Sequence, residues 1–499
     1  MRELVTLLKE KKKKIGFMFI IIVLGFICLA PFFKFHMTPD SYLLINPKAD
    51  SYWKENQSAM VKSVSGRPIS DMFLFYVNSI GFNMMKYQGL FNFLSIVIML
   101  IATFYLYKTC EELTNHKIKS MWITGFATFL IIFNAFSFEL YVYNVMTSLS
   151  IQYIIIILSV RLLIKEINIR NILIGIILNS LGLCIYQGIS PIFIPLAMIL
   201  IGYKYKDESL VQNIKNYFII GIIYGISCVS NLILIKITST SRYESMSVLD
   251  GIKRIIEAQK TIWVDTYGFL PRYFFLVTIL SFLGIALFYI IKKDKQNFWK
   301  MVICLFGAVV MTIVAALIPY VVSTVSIVPR TILTISTIPW LILLFIGINY
   351  IEINDILKIY IGLVIGLNIF ILTNLSYRLV DAIVRVNEYD ELIAGQVMEI
   401  IEEYEKTNNT KITKFSYCRD ENYTWAIPNQ PAINIDCLGR ALTVPWSWKH
   451  VFYHYYGRQF ESVPMDENVY QTYIKGKDWD EFNEEQIICI DDTVYMVSY

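Results

Sequence analysis

Charge is scarce in this sequence. Only 17% of its residues are Asp, Glu, Lys or Arg, against roughly 25% in soluble globular domains. The shortfall excludes an ordinary soluble protein and points to a polytopic α-helical membrane protein. The 56% hydrophobic share and the mean hydropathy of +0.53 agree with that. The charge that is present nearly cancels, leaving +4 over 499 residues. That is too little for a phosphate-backbone-binding surface, so no nucleic-acid partner is expected. Cysteine offers no redox motif: there are eight residues and no CxxC pair. Cys28, Cys110, Cys184, Cys228 and Cys304 fall in or beside apolar runs and read as small buried hydrophobes. Cys418, Cys437 and Cys489 form an odd set near the C-terminus, in which one disulfide would leave one thiol over. Sequence signatures of familiar chemistry are missing as well: there is no HExxH, P-loop, GxSxG or dinucleotide fingerprint. His450 and His454 form an HxxxH on one helical face, but no acid stands beside them to complete a metal site. No cofactor is expected; divalent-metal dependence stays open.

Long apolar runs are abundant. At about 20 residues per crossing, candidate spans cover roughly 15–33, 88–108, 120–138, 147–164, 171–187, 188–203, 216–237, 272–291, 301–322, 331–350 and 358–376, about eleven helices. The first follows KEKKKK and is too long for a signal peptide, so it reads as a retained span. Lys and Arg cluster in alternate loops: the N-terminus, 116–119, 161–170, 203–205 and 292–300. These loops are placed in the cytoplasm. The opposite set, 34–87, 139–146, 238–271, 323–330 and everything after 377, is placed outside. The abundance of Ile, Lys and Asn suggests an AT-rich bacterial genome, hence a bacterial plasma membrane.

Two units follow. Residues 1–376 form a transmembrane domain with a long first external loop (34–87). Residues 377–499 form a small extracytoplasmic α/β domain, with helical periodicity over 382–406 and two strands around an Asp-Asp turn near the end.

The candidate chemistry sits at the external ends of spans. Asp40, in TPDSY, is either a turn residue or a general base beside the bilayer. Arg67, in SGRPISD, is either a solvated loop charge or an anion clamp. Glu139 lies among Phe136, Phe138, Tyr141 and Tyr143, as an interfacial acid or as one facing a sugar-sized cavity. Tyr186 and Gln187 stand deep in an apolar context, where Gln187 can hydrogen-bond a neighbouring helix. Arg330 is either a snorkelling side chain or a contact for a lipid phosphate, and Arg242 either a charge of the external loop beside an outer-leaflet helix or a contact for the same phosphate. Residues 246–263 read as an amphipathic helix at the outer leaflet.

Together these pieces resemble membrane glycosyltransferases of the GT-C architecture, and more closely the serotype-converting glucosyltransferase family (Gtr type II). The resemblance rests on Asp40 with Tyr42, on Trp53, and on Gly66-Arg67-Pro68. It also rests on Phe136, Glu139, Tyr143, Leu149 and Ser150, and on Leu183, Tyr186 and Gln187. Ser41 stands where the family often has a second acid, which argues against a metal-binding acidic pair. The resemblance implies a polyprenyl-phosphate-linked sugar donor, usually glucose, and a surface glycan or teichoic-acid-like acceptor. It implies Asp40 as base and Glu139 as supporting acid. Arg67, Arg242 and Arg330 would hold the phosphate, with Tyr143, Tyr186 and Gln187 on the substrate. A lipid-linked oligosaccharide flippase and a polysaccharide polymerase or ligase are the alternatives.

Overall fold

The structure, a computed structural model, describes residues 2–42, 67–80, 82–115, 120–143, 146–238, 246–350, 353–419, 435, 438–444, 446–477, 479 and 482–498. Trp53, Gly66, Arg242 and Cys437 lie outside that set.

The bundle is built from α1 (Arg2–Leu29), α2 (Gln88–Leu113), α3 (Met121–Ile132), α4 (Met146–Lys165), α5 (Ile169–Ile185), α6 (Phe193–Lys204), α7 (Leu210–Thr238), α8 (Val248–Lys260), α9 (Phe274–Lys293), α10 (Phe298–Leu317), α11 (Ile338–Asn349) and α12 (Asp355–Asn408). Closest packing joins α2 to α4, α3 to α11, α4 to α5, α6 to α10 and α5 to α7. α3 and α11 are buried along almost their whole length. α7 instead leaves Phe218, Val229, Leu232 and Ile237 exposed. An exposed apolar helix surface on that scale faces lipid, not water.

Among the described residues, eight helical stretches are long and apolar enough to cross a membrane. The chain is therefore a polytopic helical membrane protein. The expected count of eleven is met only in part. Ranges 171–187, 188–203 and 331–350 carry the shorter helices Ile169–Ile185, Ser190–Lys204 and Leu333–Asn349. A 17-residue helix is about 26 Å long, short of a hydrocarbon core of about 30 Å. Each breaks early for a local reason: the chain turns at Tyr186, Pro191 follows, and the segment before α11 is 3-10 wound.

One end of the bundle is basic, and two of its cations are paired with acids: Lys14 to Glu111 at 2.5 Å and Arg161 to Glu112 at 2.5 Å. The opposite end carries the C-terminal α/β layer. Its sheet has the order β2-β1-β4-β3, with β1 Lys414–Arg419, β2 Glu461–Val463, β3 Ile487–Ile490 and β4 Thr493–Ser498. β1 runs parallel to β2 and to β4. β3 and β4 form the antiparallel hairpin around Asp491–Asp492. The helix α13 (Trp448–Tyr456) covers the sheet, with Trp448 stacked on Phe415 at 4.3 Å. β4 separates the strands of Cys418 and Cys489. Two strand spacings are roughly 10 Å, beyond the Cα reach of a disulfide between those two.

The boundary expected at 376/377 falls inside α12, which continues as one helix of 54 residues. Its early turns pack on the membrane core through Leu372, Leu375 and Leu379, and its later turns on the sheet core through Ile393, Val397 and Ile401. Asp390 and Arg440, both buried, pin the helix at 3.5 Å to the segment of the C-terminal layer that leads into the 3-10 turn Ala441–Thr443.

The segment after α1 is clamped by this layer. Met37 exchanges two hydrogen bonds with the Asn387 side chain, at 2.9 and 2.7 Å. His36 is buried, and its Nδ1–H donates to the Lys34 carbonyl at 2.7 Å. Burial lowers the pKa of this imidazole; the backbone of Lys34, Tyr141 and Val142 pulls the other way. Unfolded chain then takes up a proton that the native state refuses. Its contribution to stability is complete above about pH 6.5 and is lost as pH falls below that value. Burial lowers His454 in the same way. Thermal midpoints in detergent are expected to drop more between about pH 7.5 and about pH 5.5 for wild type than for His36→Asn. Equal slopes would contradict this assignment.

Candidate functional site

Three interrupted helices converge at the end of the bundle that carries the C-terminal layer. α3 stops at Ile132 and gives way to the short helix Phe138–Val142. α5 stops at Ile185, leaving Tyr186, Gln187 and Gly188 outside regular helix. A 3-10 turn, Pro329–Thr331, precedes α11. Broken backbone at this depth is tolerated where it is buried in protein or lines a cavity and its polar groups find partners. Buried Gln152 does so for the second break, donating to the Tyr186 carbonyl at 2.8 Å and to Ser190 Oγ at 2.7 Å. Asn134 does so for the first: its side chain accepts from the Ser137 N–H at 3.0 Å and from Ser336 Oγ at 2.5 Å.

These breaks bring together five of the residues singled out in the sequence. Glu139 is fully buried, and both carboxylate oxygens are taken by Arg330. The Arg330 backbone N–H donates to Oε2 at 2.6 Å, and its guanidinium pairs with Oε1. The guanidinium carbon lies 5.0 Å from the Tyr143 ring centroid. Tyr186 donates through its hydroxyl to the Arg330 carbonyl at 3.2 Å. Arg67 stands over the Tyr186 ring at 4.5 Å, just ahead of the helix Pro68–Ser79. The result is two guanidinium groups, each on a tyrosine face, tied through one backbone carbonyl. Ring-stacked cations of this kind gain about 0.5–2 kcal/mol each and leave guanidinium N–H groups in a fixed plane, suited to phosphate or carboxylate. Gln187 follows on the same break, half-buried.

Asp40 belongs to a neighbouring group. It lies on the short helix Pro39–Tyr42 and is exposed. Trp446, from the C-terminal layer, donates its indole N–H to Asp40 Oδ1 at 3.2 Å. Tyr42 meets Tyr455 hydroxyl to hydroxyl at 3.3 Å. The two groups adjoin through buried His36, whose ring is set against the backbone of Tyr141 and Val142, on the helix of Glu139. Among the described residues, no group of three or more His, Cys, Asp or Glu comes together as a metal site.

Sequence reasoning missed several contributors. Trp446 sits in a coil segment with no periodic signal. Tyr267 packs edge-on to Phe136 at 6.0 Å and donates to the Ile327 carbonyl at 2.8 Å. Thr266 and Tyr267 have φ of 45° and 54°. Such backbone costs of order 1–3 kcal/mol per residue and concentrates at functional sites. Gly188 is required by space. A Cβ there would come within 2.5 Å of the Arg330 carbonyl oxygen and 2.6 Å of Tyr186 Cε1. Gly188→Ala is expected to cost about 1–3 kcal/mol by overpacking, read as a lowered thermal midpoint in detergent. A midpoint equal to wild type would show that the pocket can give.

The family model described as Glucosyl transferase GtrII matches residues 50–347. No curated protein and no solved structure matches the chain.

Proposed function

Because this chain belongs to the glucosyl transferase GtrII family, we propose that it moves glucose from a polyprenyl-phosphate-linked donor to a surface glycan or teichoic-acid-like acceptor. In this reading the fold is GT-C-like. It sits in the bacterial plasma membrane with its basic end in the cytoplasm, and the end bearing Asp40 faces outward. The supporting observation is the pair of tyrosine-stacked guanidinium groups, Arg67 and Arg330. They adjoin a segment whose exposed carboxylate stands beside an exposed indole.

The reaction is a single displacement with inversion. The acceptor oxygen attacks the anomeric carbon as its proton passes to Asp40. The bond from that carbon to the phosphate oxygen breaks, and its electron pair leaves with the polyprenyl phosphate. Charge builds on that phosphate as the sugar becomes oxocarbenium-like. Fixed positive charge then favours the transition state over the ground state. Arg67 and Arg330 supply it. Glu139, read from sequence as meeting sugar hydroxyls or supporting Asp40, is fully buried and engages Arg330 through both oxygens. We assign it to positioning Arg330. Tyr143 and Tyr186 support the two cations, and Gln187 borders the substrate. Arg242 keeps only its sequence-based role. The Trp446 ring offers a face for an acceptor pyranose. No step requires a nucleotide.

The flippase alternative calls for ionisable groups along the spans; the described clusters instead lie at the two ends. The test is incubation of purified protein with polyprenyl-phosphate-glucose and cell-wall acceptor. Acceptor carrying single added glucose units supports the proposal. A lengthened polymer would favour the polymerase reading, and no transfer by folded protein would reject both.

A further inference from the structure

The proposed chemistry occupies one end of the bundle and leaves the other unexplained. At the basic end, α2, α4 and α6 surround a cavity of about 900 Å³. Four cations line it, Arg161, Lys165, Lys204 and Lys206, with one acid, Glu112. Four positive charges less one negative leave an excess of three. Arg161 is the cation that Glu112 neutralises, and it also lies over the Tyr105 ring at 5.2 Å. Lys204 donates to the carbonyls of Ile164 and Lys165 at the C-terminus of α4. Those carbonyls orient the ammonium without cancelling its charge. Lys206 stands over the Tyr203 ring at 4.8 Å. Its own carbonyl accepts from Lys300 Nζ at 3.1 Å, which brings a fifth cation close.

We propose that this cavity binds a phosphate group at the inner membrane surface, carried by an anionic phospholipid. The excess of cations sets the charge of the ligand. The walls favour a lipid over a free ion: Leu158 and Leu162 continue from the cations along α4. Leu158 remains exposed on the lipid-facing side, where an acyl chain would lie. Basic pockets between transmembrane helices on the cytoplasmic side recognise lipid headgroups in this way. The site is independent of glucosyl transfer.

The experiment uses the full-length protein in detergent, as wild type and as Lys165→Gln/Lys206→Gln. Binding of radiolabelled phosphatidylglycerol is measured against phosphatidylcholine, with inorganic phosphate as competitor. Each cation near the surface contributes about fivefold in affinity for anionic lipid, so the double variant is expected to bind phosphatidylglycerol about 30-fold more weakly. Phosphatidylcholine binding is expected to be unchanged. Failure of phosphate to compete identifies the lipid as the source. Competition at equal concentration identifies free phosphate as the source and overturns the lipid assignment while keeping the phosphate site. Phosphatidylglycerol and phosphate binding equal to wild type in the double variant overturns the proposal. Wild-type affinity that does not fall as salt rises overturns it without any substitution. Glucosyl transfer by the double variant is expected at the wild-type rate, which separates this site from the reaction at the far end.

Discussion

Asp40→Asn is expected to lower glucosyl transfer by about 10²- to 10⁴-fold, the range for removing a positioned general base. The substitution keeps the side chain's shape. The amide oxygen can still accept from the Trp446 indole, so the bond that positions the residue survives. What is lost is the capacity to take a proton. Asp40 is exposed and outside both buried cores, so the thermal midpoint should hold within the usual range for surface changes, about 0.5 kcal/mol. The loss should fall on kcat, with KM for the lipid donor nearly unchanged, because the acid is assigned to the acceptor side. Initial rates against donor concentration, with an unfolding scan of the same preparation, decide the matter. A variant that transfers glucose at the wild-type rate would remove Asp40 from the mechanism.

Arg330→Lys is expected to cost about 10²- to 10³-fold in kcat, as for loss of one preorganised donor to a developing anion. Lysine keeps the charge and can still meet Glu139. It has no planar fork and cannot stack flat on Tyr143 while reaching both an acid and a phosphate. Glu139→Gln is the necessary comparison. It leaves the guanidinium, only 18% exposed, beside a neutral partner. Breaking such a pair costs about 3–5 kcal/mol of stability, so this variant should lose thermal midpoint and activity together. Arg330→Lys should lose activity with a smaller midpoint change. Loss of stability alone in both variants, with transfer intact, would assign the pair to holding α11 against the helix Phe138–Val142 and nothing more.

The residue types of the site were legible in the sequence because they stand at the ends of apolar runs. Arginine and tyrosine at a span's end also serve as snorkelling cations and aromatic belts, so the residue types alone did not separate a site from an interface. Glu139, Tyr143 and Arg330 were found that way, Arg67 from SGRPISD in the long first loop and Tyr186 from its apolar surroundings, and the structure gathers them. Their pairing was not legible. Glu139 and Arg330 are 191 positions apart, and no local pattern says that the arginine meets both carboxylate oxygens. The three short helices were hidden for a related reason. Hydropathy measures how long an apolar run is and not where its backbone stops being helical, and Gln152 makes the break after Ile185 affordable from another helix. The hairpin at 487–498 was readable from alternation around Asp491–Asp492. The unbroken course of α12 was not: its composition changes near 377 while its periodicity persists.

That unbroken course has a geometric consequence. A helix of 54 residues is a rod of about 81 Å, of which a bilayer core conceals about 30 Å. In the proposed orientation the rest is a mast with the C-terminal layer bolted to it through Asp390 and Arg440. Height and bearing are then coupled. Each residue added to the mast would raise the sheet by about 1.5 Å and swing it by about 100°, carrying the Trp446 ring around the axis and away from its carboxylate. An acceptor polymer is thus met at one elevation and from one compass direction, both set by the number of residues between the hydrocarbon and Asp390.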